Sequence, residues 1–232
     1  DAVGFPAVEY LIYGVGDSKA DIVSYYSSNA SADLEYLSGL IDQMKSLTQS
    51  IVDDWNSGYR DTFVSNSDNS ATGSINKLVN DYIFYYEKGL RANKIGIPAG
   101  NFSNQPFPDK VEAFYHESGS KTLALEGLQA VKDFFNGKAY NSTNDGRSLA
   151  DYLDALDVNV EDEKLSTRIN DQYNAADNAI QQLDDNFSSQ IETNNTLMFE
   201  AFDQLQLAVV LLKVDMLQSL DISVDFVDAD GD

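Results

Sequence analysis

Cysteine is absent from this 232-residue chain, and histidine occurs once, as His116. The first absence removes disulfides, thiolate metal sites and cysteine nucleophiles, and it leaves the redox compartment undecided. The second removes the zinc site of an H-E-x-x-H helix, which needs two imidazoles on one face. It also removes most Ser-His-Asp triads unless His116 serves, and no G-x-S-x-G elbow accompanies it. Basic residues are scarce: 15 Lys+Arg stand against 38 Asp+Glu, a formal charge of -23. That balance argues against nucleic acid as a partner, because phosphates need a basic face, and it disfavours electrostatic docking on anionic lipid. Long apolar runs are missing too. The most apolar stretch, 205–212, gives way to Lys213 and Asp215, well short of the roughly 20 residues of a membrane span. Any metal held here is held mainly by oxygen, which suits hard ions such as Ca²⁺, Mg²⁺ or ferric iron.

What is present is helical periodicity. Leu37, Leu40, Ile41, Met44, Leu47, Ile51 and Trp55 recur at three and four residues, with Ser31, Asp33 and Glu35 supplying an acidic, cap-like start. Further stripes run Ile75, Leu78, Val79, Tyr82, Ile83, Tyr86, Leu90; then Leu123, Leu128, Val131, Phe134, Phe135; then Leu165, Ile169, Tyr173, Ala176, Ile180, Leu183. The last stripe is Leu197, Ala201, Leu205, Ala208, Leu212, Met216, Leu220, and its apolar 207–217 portion predicts a central, buried helix. Polar joints lie at 66–73, 96–108 and 138–146. The alternating I-S-V-D-F-V near the end has no strand partner, and no fixed-period repeat is visible. The pattern predicts an all-α antiparallel helical bundle.

Two carboxylates interrupt apolar segments. Glu9 sits in G-F-P-A-V-E-Y-L-I-Y-G at residues 4–14, and Asp215 in the last helical stripe. A carboxylate so placed is protonated, paired with a helix N-terminus or an Arg, or bound to a cation. Lys213 cannot face Asp215 on one helix, since residues two apart point away from each other. The D-A-D-G-D ending is reminiscent of a calcium loop but lacks the glutamate at the twelfth loop position, and reads better as a solvated tail. The N-x-S triplets at 29–31 and 101–103 read as incidental. Tyr25, Tyr26, Tyr82, Tyr85 and Tyr86, at helical spacing, read as core residues with hydroxyls at the rim rather than as a sugar platform.

These segments together resemble the imelysin family, also known as peptidase family M75, which includes iron-regulated bacterial proteins of the periplasm and outer surface. GFPAVEYLIYG is similar to the family's G-x-H-x-x-E signature with its aromatic turn and glycine. KIGIPAG at 94–100, followed by PDKVEAFYHESGSKTLALEGLQAVKDFFNG at 108–137, resembles the central K-x-G-x-P and V-E-x-x-Y-S-x-x-S segment. LAVVLLKVDMLQSLDI at 207–222 and DFVDADGD at 225–232 resemble the final helix and the acidic tail. Pro6 replaces the signature histidine, and His116 stands where the family has its first serine after tyrosine, one inserted residue ahead of Ser120.

The resemblance implies one imelysin-like helical domain over residues 1–232, with the loop at 93–109 separating two sub-bundles. It also implies that the family's N-terminal helices are largely missing from this chain, which opens in mid-pattern. The stripe at 37–55 is then expected to be covered by those helices or by a homodimer. The family's motifs further suggest a cleft in which Glu9, Glu112 and Asp215 hold an iron or other divalent or trivalent cation. Pro6, Tyr115, His116, Ser120 and Lys213 would line that cleft. The competing expectations are that Lys213 or Arg91 neutralises those carboxylates, or that two of them share a proton for acid–base work. The implied function is metal acquisition by an exported, periplasmic or surface-anchored lipoprotein, acting on a metal ion or metal carrier with a surface or outer-membrane receptor as partner. A metallopeptidase, or a non-catalytic module docking through 96–108, are the alternatives.

Overall fold

The computed structural model of the chain describes residues 2–28 and 30–225. The tail at 226–232, with its calcium-loop motif, and Asn29 of the first N-x-S triplet lie outside the described residues. The described part is mainly helical: α1 (Gly4–Glu9), α2 (Lys19–Ser28), α3 (Ser31–Asp54), α4 (Arg60–Ser65), α5 (Ser74–Phe84), α6 (Ile97–Ala99), α7 (Ser120–Phe135), α8 (Leu149–Ala155), α9 (Leu165–Gln181), α10 (Phe187–Asn194), α11 (Thr196–Val210) and α12 (Leu217–Ser219). Wider π-helical segments extend α1 (Tyr10–Gly14), α3 (Trp55–Tyr59), α5 (Tyr85–Gly96) and α11 (Leu211–Met216). Among the described residues the one sheet is a two-stranded antiparallel hairpin, β1 (Asn159–Val160) with β2 (Glu163–Lys164).

Four long helices make the main bundle. Tyr82 of α5 reaches the Val131 carbonyl of α7, while Gly127 lies against Leu90 and Lys94 further along, so α5 and α7 run antiparallel. Lys121 meets Asp185 near the start of α7, and Asn136 and Asn170 exchange amide hydrogen bonds of 2.8 and 3.1 Å at its end; α7 and α9 are therefore antiparallel too. Asn80 bonds Ser223 and Tyr86 bonds the Leu205 carbonyl, which sets the α5 segment antiparallel to α11. The result is an up-down-up-down bundle. Its core is the periodic apolar set of those helices, including Ile83, Leu90, Leu128, Phe135, Ile169, Leu205 and Leu212. Tyr82 and Tyr173 share a hydroxyl–hydroxyl bond of 2.6 Å at its centre. Burial pushes the phenols of Tyr82, Tyr86 and Tyr173 upward from their ordinary 10.0. Tyr82 and Tyr86 thus hide their hydroxyls inside the core, whereas Tyr25 and Tyr85 are exposed.

Several expectations need correction. The 207–217 stretch is not enclosed: Leu207, Val210 and Val214 face outward while Ala208, Leu212 and Met216 face the core, because neighbours cover α11 on one side only. The α5 helix continues as a π-helix through Gly96 and into α6, so the joint begins at Gly100, in the left-handed region at φ +90°, rather than at residue 93. Ser31 is the first residue of α3, not its cap; Ala30 precedes it without a side-chain bond. The β-hairpin, α8 and α10 had no counterpart in the periodic reading.

The N-terminal portion has its own small apolar cluster. Ala7 and Leu11 of the α1 segment close on Leu40 of α3, with Val8, Val15 and Leu37 beside them. Beyond that contact the stripe of α3 stays exposed, Leu47 and Ile51 most of all. Gly58, at φ 135°, kinks the chain between α3 and α4.

Candidate functional site

Glu9 ends α1, and the residues that answer it come from the loop between the 3₁₀ turn Pro108–Lys110 and α7. One carboxylate oxygen, Oε1, accepts the Tyr115 N–H at 2.7 Å and the His116 N–H at 2.9 Å. The loop can aim both donors one way because Ala113 and Glu117 adopt left-handed φ values of 58° and 64°. Aromatic rings seal the joint: Tyr10 meets Tyr115 edge-on at 5.1 Å, and Tyr13 meets His116 at 4.6 Å. Gly14 closes the motif for a steric reason. A Cβ there would lie 2.6 Å from the Tyr10 ring and 2.7 Å from the Tyr115 ring. Pro6 sits in the first turn of α1, where its missing N–H removes nothing, and it is exposed.

The neighbouring site residues serve the same loop. Ser120 is buried and donates its hydroxyl to the Glu112 carbonyl at 2.6 Å, tying the loop to the start of α7. The Glu112 carboxylate pairs with Lys94 of the α5 segment. Glu9, Glu112, Tyr115, His116 and Ser120 therefore belong to one joint between α1, the 111–119 loop and the main bundle.

Lys213 belongs to a different place. It lies 3.4 Å from Oε2 of Glu87, a carboxylate fully buried in the α5 segment. Arg91, also buried, stands 3.3 Å from Oε1 of Glu87. The guanidinium donates to Gln206 and lies over the Phe202 and Phe102 rings, 5.1 and 5.7 Å from their centroids. Arg91 and Lys213 thus compensate Glu87, which sequence reasoning missed, and not Glu9 or Glu112. Glu87 and Arg91 stand four apart among Tyr82, Ile83, Tyr86 and Leu90, an i,i+4 pair inside an apolar stripe. That was the available signal. Asp215, half-buried on the π-helical turn after α11, offers its backbone carbonyl to Ser219 at 2.6 Å.

Among the described residues, no group of three or more His, Asp or Glu side chains is placed to hold a metal ion. The donor set around Glu9 is one carboxylate already engaged by two amides, beside a histidine packed on a tyrosine ring. It can anchor a helix to a loop. A hydrolytic zinc-type centre, with three protein ligands and an open position, does not fit these residues.

A model of the imelysin family, peptidase M75, matches residues 1–211. No curated protein and no solved structure matches the chain. The acidic ending that resembles the family's tail falls outside the matched range.

Proposed function

The chain belongs to the imelysin family, and from that premise we propose that it is a non-catalytic accessory of iron or other metal acquisition. The reading that goes with it is an exported protein, periplasmic or anchored at the cell surface. It works by binding a partner, such as a metal carrier or a surface receptor, with the metal ion as cargo. The carrying observation is the use made of the family's signature carboxylate. Glu9 holds the Tyr115 and His116 amides and so fastens the N-terminal helix to the bundle. With Pro6 in the histidine position, His116 packed on Tyr13 and Glu9 engaged by two amides, this reading gives the joint a holding role. The acidic balance favours a cationic cargo or a basic partner. Among the described residues no helix is long and apolar enough to cross a membrane, so anchoring would come from elsewhere.

The test is complementation of a host lacking the gene, with cell iron measured under iron limitation. Wild type, Glu9→Gln and His116→Ala chains are expected to restore iron content alike, because neither side chain performs chemistry. Unchanged iron content in the deletion strain would sink the metal reading. Cleavage of an unfolded protein substrate by the purified chain, lost on Glu9→Gln, would replace it with a peptidase.

A further inference from the structure

A cleft opens between the last turns of α7 and α9, at the opposite end of α7 from the Glu9 joint. It encloses about 580 Å³, within the roughly 300–1,000 Å³ of small-molecule sites, but its lining is polar where such sites are mostly apolar. Gln129, Asn136, Asn170 and Asn174 bring four carboxamides to it, with Lys132, Lys138 and Asp145 beside them. Two of the carboxamides are held in place. Asn136 and Asn170 exchange their mutual bonds and also donate to the Lys132 and Ser166 carbonyls at 2.8 and 3.1 Å. Asn174 lies four residues beyond Asn170 on the same face of α9. It is exposed, and its carboxamide bonds to none of the described residues. One wall is the loop after α7, closed by the backbone bridge between Lys138 and Asp145 and by the Gly146 N–H on the Gly137 carbonyl at 2.7 Å. That loop carries Tyr140, which is 94 % exposed.

Charge narrows what such a cleft accepts. A cation meets Lys132 and Lys138 in the lining. An anion meets Asp145 there, Asp133 and Asp177 next to it, and a chain of net charge -23. What suits it is a neutral ligand that forms many hydrogen bonds. A carboxamide donates and accepts at once, and so does a hydroxyl, so a row of carboxamides matches a row of hydroxyls. Tyr140 adds a bare ring on which the C–H face of a sugar can lie. We propose that this cleft binds a neutral carbohydrate, with Asn174 and Gln129 on its hydroxyls and Tyr140 against one of its rings. The proposal stands on the cleft alone and is independent of the metal-acquisition reading.

The probe is an array of immobilised glycans, neutral oligosaccharides beside uronic-acid and sulfated ones, followed by calorimetry with the strongest neutral binder. The chain is expected to bind at least one neutral glycan saturably, with an affinity that added salt leaves unchanged. Asn174→Ala should weaken that binding about tenfold, by removing a side chain that both donates and accepts. Tyr140→Ala should weaken it about fivefold. Both side chains are exposed, so circular dichroism and the thermal midpoint should match the wild type in each variant. No neutral glycan bound, binding confined to the anionic glycans, or an affinity unaltered in either variant would overturn the proposal.

Discussion

Glu9 and His116, 107 residues apart in the chain, are joined by a 2.9 Å hydrogen bond from the His116 backbone N–H to the Glu9 carboxylate. The same oxygen takes the Tyr115 N–H, so one side chain fixes the direction of a whole loop. Glu9→Gln keeps an acceptor and should cost less than about 1 kcal/mol, whereas Glu9→Ala removes both bonds from a solvent-accessible joint and should cost about 1–2 kcal/mol. Urea unfolding of the two variants checks the contrast; equal costs would mean that the bonds do not hold the joint.

Gly14 should resist enlargement. Its Cβ would sit 2.6–2.7 Å from two tyrosine rings, so Gly14→Ala must push Tyr10 and Tyr115 apart, at a cost of about 1–3 kcal/mol. The expected signature is a lower thermal midpoint with an altered near-UV tyrosine spectrum.

Glu87 is the opposite kind of carboxylate, buried and shared between Arg91 and Lys213. Removing it as Glu87→Ala leaves two cations without their common partner, and the expected loss is about 3–5 kcal/mol. Lys213→Met should cost less, because Arg91 still faces Glu87. Chemical denaturation of both ranks them, and the reverse order would refute the assignment.

The three core phenols predict alkaline sensitivity. Tyr82, Tyr86 and Tyr173 have raised pKa values because burial disfavours the phenolate. Their stabilisation is fully present below the unfolded value near 10 and is lost above it, as the unfolded chain releases protons that the folded one keeps. Stability should then fall by up to about 1.4 kcal/mol per pH unit for each such tyrosine. Absorbance at alkaline pH should show three of the 13 tyrosines ionising only when circular dichroism shows unfolding.

The helical class and the four long bundle helices were legible because burial imposes a period on sequence. α9 shows it plainly: Leu165, Ile169, Tyr173, Ala176 and Ile180 are all buried. The outward faces of Leu207 and Val210 were not legible, because an apolar surface says nothing about how many neighbours arrive. α8 left a trace in the reciprocal Ser148–Asp151 capping box, but at seven residues it offers too few turns for a period. At the site, Glu9, Tyr115 and His116 were read as neighbours in one cleft and the structure joins them, but a contact made through the two backbone amides was not legible, since amides carry no side-chain signature. Glu87 escaped because an i,i+4 Glu–Arg pair reads equally well as an exposed surface pair.

The antiparallel union of the α5 segment with α11 has a bearing on how the chain is made. Asn80 bonds the Ser223 carbonyl and accepts from the Asp225 amide, 143 and 145 residues onward. Consecutive bundle helices can pair soon after they leave the ribosome, but α5 can meet α11 only after the 119 residues from Tyr86 to Leu205 have been added. Until then the flank of α5 that carries Tyr86, Glu87 and Arg91 faces water. Without α11 the core shared by α5, α7 and α9 lacks one wall, so closure of the bundle waits on the arrival of that helix.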